Sequence, residues 1–115
     1  MPTFDKTGRL RKRVDFTTVS ARGRKLYLPD FIIIKADSEF SWPRIGITVS
    51  RKVGNSVYRN RIKRLVREFF RNNRNLFLSA DYNIIARSGA AALGFDDVCQ
   101  ELANGLSRIG QQNRH

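Results

Sequence analysis

The chain has 115 residues, 22 of them lysine or arginine against 10 aspartate or glutamate, for a formal net charge of +12. That length suits one domain with a modest core, and a hydrophobic content of 41% is too high for a disordered basic tail, so the charge is expected on a folded body. No stretch nears the ~18 apolar residues of a membrane span; the opening MPTFDKTGRLRKR lacks the apolar core of a secretory signal, and the single cysteine, Cys99, precludes an internal disulfide, so a cytoplasmic protein is expected.

In chain order, RVDFTTVSARG predicts a short first helix with Phe16 and Val19 on one face, Asp15 in its early turns and Gly23 available to stop it. KLYL and FIIIK read as strands, the second buried on both sides, and ADSEFSWP as a polar connection. RIGITVS alternates: Ile45, Ile47 and Val49 point one way, and Arg44, Gly46, Thr48 and Ser50 the other, a small-residue face over which a ligand could lie. RKVGNSV is a basic turn with Gly54 suited to positive φ. DYNIIAR is a further strand, and residues 95–109 form a last helix with Phe95, Val98, Leu102 and Ile109 inward and Asp96 and Asp97 near its N-terminus. Cys99 fits this helix as a small buried hydrophobe. The order αβββαβα is an α+β sandwich. Residues 1–115 are expected to form a single domain, with 1–8 and 110–115 flexible.

Between that turn and the last strand lies YRNRIKRLVREFFRNNR, where seven cations face one carboxylate. As a helix, it puts Tyr58, Ile62, Leu65, Val66 and Phe69 on a core stripe, and Asn60, Lys63, Arg64, Arg67, Arg71 and Arg74 on the opposite face. A solvated helix ordinarily mixes signs, because like charges four residues apart repel. A face this cationic fits a polyanion, and arginine suits a bidentate grip on phosphate. Ten of the 22 cations fall within residues 44–74 with Glu68 as the only acid, and eight more within residues 6–25. By contrast, no catalytic set is apparent. The only histidine is His115, the acids are scattered, and no zinc spacing or phosphate loop occurs. Charge alone fits any RNA binder without chemistry of its own, a small ribosomal or ribosome-assembly protein included.

The run SRKVGNSVYRNRIKRLVREFF closely resembles the signature of the bacterial ribonuclease P protein subunit, with Arg59, Asn60 and Arg61 as its RNR followed by Ile62, Lys63 and Arg64. The surrounding order of elements matches over about residues 8–110. The resemblance implies the fold shared with ribosomal S5 domain 2, with a left-handed βαβ crossover, against the usual hand. It implies an auxiliary subunit of the endoribonuclease that removes the 5′ leader of precursor tRNA. Catalysis would belong to a large RNA and to magnesium bound mainly by that RNA, with the isolated protein inactive. Arg59, Asn60, Arg61, Lys63, Arg64, Arg67 and Arg71 would dock on the catalytic RNA. Phe16, Ser20, Ile34, Lys52, Arg59 and Asn60 would meet the leader. Members often carry aromatics where this chain has Ser20 and Ile34, so stacking would rest on Phe16, with Tyr58 or Tyr27 as substitutes.

Overall fold

A computed structural model of the chain describes residues 8–10 and 12–112. The expectations for residues 1–7 and 113–115, His115 included, lie outside the described residues. The element order is αβββαβα: α1 (Arg13–Arg22), β1 (Arg24–Tyr27), β2 (Phe31–Asp37), β3 (Arg44–Val49), α2 (Ser56–Asn72), β4 (Ala80–Ala86) and α3 (Phe95–Gln112). The last helix runs past Gly110 to Gln112, and Gly8 is buried.

The strands form one sheet in the order β1-β2-β4-β3, antiparallel except for β3 beside β4, the pair joined by α2. Period-two alternation gives each strand two faces. On β2, Phe31 and Ile33 join the larger core beneath α2 and α3, while Ile34 and Ala36 join a smaller core with Val19 of α1 and Leu10. The sheet is thus covered on both sides, as the unbroken apolar run FIIIK predicts.

The start of α2 and the end of α1 each have a local cause. Asn55 caps α2, its Oδ1 accepting from the amides of Val57 and Tyr58 at 3.1 and 3.3 Å. Gly54 before it has φ 157° and ψ −172°, a conformation essentially restricted to glycine. Gly23 ends α1 as expected, in extended backbone with φ −77° and ψ 157°. Its need is space: a Cβ there would collide with Ile34 and the Val19 carbonyl.

The core stripe of α2 departs from expectation at two places. Tyr58 is 49% exposed, because it lies in the first turn, which extends beyond the packed part of the helix; Leu65 is only half-buried. Phe70, outside the expected stripe, is fully buried with Ile62, Val66 and Phe69. The segment after α2 explains it. Phe77 folds back so that its ring meets Phe70 at 4.8 Å, Tyr82 at 5.1 Å and Phe69 at 6.0 Å, each edge to face. The Tyr82 hydroxyl accepts from the Leu78 amide at 2.8 Å, and burial pushes its pKa up to about 12. Arg74, placed on the helical cationic face by the sequence, instead lies past the end of α2 with its guanidinium over the Phe70 ring, 5.3 Å from the centroid. In α3, Val98, Leu102 and Ile109 are buried as expected, with Leu106 added; Phe95 is only half-buried. Cys99 packs half-buried against the larger core, where burial, then Asp96, raises its thiol pKa.

Candidate nucleic-acid interface

The outer surface of α2 is the more cationic of two candidate surfaces. Asn60, Arg64 and Arg71 are exposed on it, while Lys63 and Arg67 are half-buried on one flank, where they and Arg9 line a groove of ≈ 290 Å³ against β3. Arg61 and Arg71 have partners within the protein. Arg61 lies on the other flank and donates to the Leu93 carbonyl at 2.7 Å, tying α2 to the segment before α3. Arg71 pairs with Glu68 at 2.7 Å, so Glu68 offsets the C-terminal end of the face rather than Arg64. Asn60, Lys63, Arg64 and Arg67 form a strip along two turns, with no acid among them.

The second surface lies on the opposite side of the sheet. There Phe16 rests on Gly46, which has no Cβ to hold it off: one would stand 2.7 Å from the ring Cζ and 3.1 Å from Leu10 Cβ. Beside this contact a groove of ≈ 640 Å³ opens between helix and sheet. Its helix wall is Arg13, Phe16, Thr17, Ser20 and Ala21, and its floor Thr48, Asn83 and Ile85. Arg44 fastens the neighbouring end of β3. Its guanidinium donates to both carboxylate oxygens of Asp81 at 2.8 and 2.7 Å, lies 4.0 Å from Asp15 of α1, and stacks over Phe40 at 4.5 Å. The bond to Asp81 holds the Arg44 pKa above its ordinary value.

The sequence-derived leader residues divide across this geometry. Phe16 and Ser20 line the groove. Ile34 does not: it is 2% exposed, packed against α1 at Gly23, so it supports the helix rather than meeting a ligand. Lys52 is exposed on the 3-10 turn (Arg51–Val53) that follows β3, and Arg59 is half-buried in the first turns of α2; neither lines the groove. Tyr27 and Tyr58 are exposed but also outside it. Arg13, Thr17, Asn83 and Ile85 were not singled out by the sequence reading. Asn83 had a signal: one carboxamide inside the otherwise apolar strand core YNIIA.

Known proteins resemble this chain throughout. The family model described as Ribonuclease P matches residues 4–110. A ribonuclease P protein component of Geotalea uraniireducens is 50% identical over 106 residues, 92% of this chain and 94% of its own. One from Syntrophus aciditrophicus is 42% identical over 110 residues, 95% and 92% of the two chains. Among solved structures, the Staphylococcus aureus RNase P protein superposes with a TM-score of 0.85 at 31% identity, covering 90% of this chain and 96% of that one. The Thermotoga maritima protein gives 0.80 at 33%, covering 87% and 96%. These matches decide among the RNA-binding readings that charge left open: the chain belongs to the ribonuclease P protein family, whose members serve tRNA processing.

Proposed function

We propose that this protein is a two-sided adaptor, which docks on the catalytic RNA of ribonuclease P through the outer face of α2 and holds the 5′ leader of precursor tRNA in the groove under α1. The carrying observation is a pair of surfaces that meet around the β3 edge: a cationic strip on α2, and a groove with one aromatic wall on the α1 side, Phe16 and Gly46 sharing a smaller groove with Lys63 and Arg67. A strip of arginines presented along a helix suits phosphates of a structured RNA, without reading bases. A groove walled by a ring, with Arg13 at its side, suits a single strand, whose bases can stack while its phosphates are neutralised. Asn60, Lys63, Arg64 and Arg67 form the docking strip, Arg59 and Arg71 border it, and Arg61 positions the helix. Phe16, Ser20 and Arg13 meet the leader, and Lys52 extends its path beyond the end of β3. Residues 1–115 act as one RNA-binding domain in the cytoplasm.

Hydrolysis is assigned to the RNA partner and to magnesium held by it. The protein's own carboxylates suit a metal poorly: Asp15 and Asp81 face Arg44, Glu68 faces Arg71, and the Glu101 carboxylate accepts the Asp30 amide at 2.8 Å. Among the described residues no three acidic, histidine or cysteine side chains converge as a metal site would need. Reconstitution is the test. The protein should restore cleavage of precursor tRNA by a bacterial ribonuclease P RNA at low magnesium, and should release no product alone. Product from nuclease-free protein without the RNA, or no gain from adding it, would overturn the assignment.

The docking face has a separate signature. Arg64→Ala should lower the slope of log affinity for the catalytic RNA against log salt by roughly 0.7 to 0.9, and adding Arg67→Ala should lower it by about as much again, one phosphate contact each. An unchanged slope, with a native circular dichroism spectrum, would move the docking surface elsewhere.

A further inference from the structure

Phe16 belongs to two grooves. It walls the groove under α1, and it also lines the smaller groove at the β3 edge, together with Gly46, Arg9, Lys63 and Arg67; among the described residues it is the only one common to both. The ring meets the sheet through its far edge, since Cε1 and Cζ are its atoms nearest to where a Gly46 Cβ would stand. A ring standing on its edge leaves both faces open to partners, one toward each groove.

The smaller groove gathers charge from separate parts of the chain. Lys63 and Arg67 stand one turn apart on α2, and Arg9 arrives on the segment that runs parallel to β3, held there by the Leu10 amide, which donates to the Ile45 carbonyl at 3.0 Å. None of the described residues lining this groove is acidic. Like charges one turn apart on a helix repel, and a third cation from another segment adds to the repulsion unless an anion sits among them. Cations gathered around an aromatic ring suit a nucleotide, its phosphate among the charges and its base against the ring. At ≈ 290 Å³ against ≈ 640 Å³ for the groove under α1, the space suits a single nucleotide and not a run of strand. Lys63 and Arg67 belong to the docking strip, so that nucleotide comes from the RNA docked there.

We infer that one nucleotide of the catalytic RNA seats in the groove at the β3 edge, its phosphate among Arg9, Lys63 and Arg67 and its base on the face of Phe16 turned away from the leader, so that both RNAs share one ring. The inference rests on the two-surface reading above. Sharing couples the two ligands: a ring held from one side needs less ordering when the leader arrives on the other, and the coupling is reciprocal. Its test measures affinity of the protein for a bacterial ribonuclease P RNA with no tRNA present. Phe16→Leu, which keeps an apolar side chain over Gly46 and removes the ring, should weaken that affinity on the order of tenfold, the worth of one stacked base, with the melting curve confirming a folded protein. Ser20→Ala, on the larger groove alone, should leave it unchanged. Phe16→Leu combined with Arg67→Ala should lose well short of the product of the two single losses, because both act on one nucleotide; combined with Arg64→Ala, outside the groove, the losses should multiply. In holoenzyme assembled at saturating protein, Arg67→Ala should also lower the preference for precursor over mature tRNA by about fivefold, and Arg64→Ala should not. A folded Phe16→Leu protein that binds the catalytic RNA as tightly as the native one would overturn the inference and leave both surfaces standing. Losses that multiply for Phe16→Leu with Arg67→Ala would overturn it equally. An unchanged salt slope for Arg64→Ala with Arg67→Ala would instead remove the docking strip, and this inference with it.

Discussion

Gly46→Val should abolish most of the advantage that precursor tRNA holds over mature tRNA. Phe16 rests on Gly46 so closely that a Cβ would stand 2.7 Å from its Cζ and 3.1 Å from Leu10 Cβ. The valine cannot be absorbed by a flexible chain end, because the obstacle is a ring held on a helix. Either Phe16 leaves its position or α1 rises from the sheet, and both outcomes remove the groove's aromatic wall. Stacking on an aromatic is worth about 1 to 3 kcal/mol per base, so precursor affinity should fall on the order of ten- to hundredfold. Mature tRNA, which lacks the leader, should bind as before. Of the docking strip, Asn60 and Arg64 lie away from this contact while Lys63 and Arg67 share a groove with Phe16 and Gly46, so affinity for the catalytic RNA should fall by less than affinity for precursor tRNA. The overpacking itself costs roughly 1 to 3 kcal/mol of stability, and a melting curve on the same sample separates unfolding from loss of the groove. A folded variant that still favours precursor tRNA as strongly as the native protein would show that the leader does not run under α1.

Phe70→Ala should be among the most destabilising single truncations. The side chain is fully buried, one of its neighbours is the Phe77 ring at 4.8 Å, and the Arg74 guanidinium covers it from outside. Removing a buried phenylalanine costs about 3 to 5 kcal/mol through lost transfer energy and the cavity left behind. For a chain of this size, the melting temperature should fall on the order of 15 °C. The informative control is Tyr58→Ala on the same helix, where the side chain is half in water. It should change stability by no more than about 0.5 kcal/mol. Equal losses at the two positions would mean that the C-terminal aromatic cluster does not anchor α2. The two RNA surfaces should respond differently to this damage. Fraying the end of α2 disturbs the spacing of Arg67 and Arg71 before it reaches α1, so docking should weaken ahead of leader recognition.

Much of this molecule was settled locally. Charge spacing in YRNRIKRLVREFF gave a helix with a cationic back, FIIIK a strand covered on both sides, and RIGITVS a strand with one small-residue face, because periods of 3.6 and 2 assign residues to faces without knowledge of the partner. Order and composition sufficed for the α+β class and, through the RNR run, for the family. Other features depended on contacts between distant segments. Tyr58 and Phe70 exchanged expected places because Phe77, after the helix, folds back over one end and not the other. Arg61 left the docking strip for the carbonyl of Leu93, 32 residues away in the chain. Ile34 became a support for α1 because Gly23 lets the helix end sit directly upon it. The groove's floor was least legible, since Thr48 and Asn83 stand 35 residues apart and meet only because β3 and β4 run side by side in parallel. Periodicity assigns a side chain to a face, but a hydrogen bond between strands depends on register, and register is decided only when the sheet assembles.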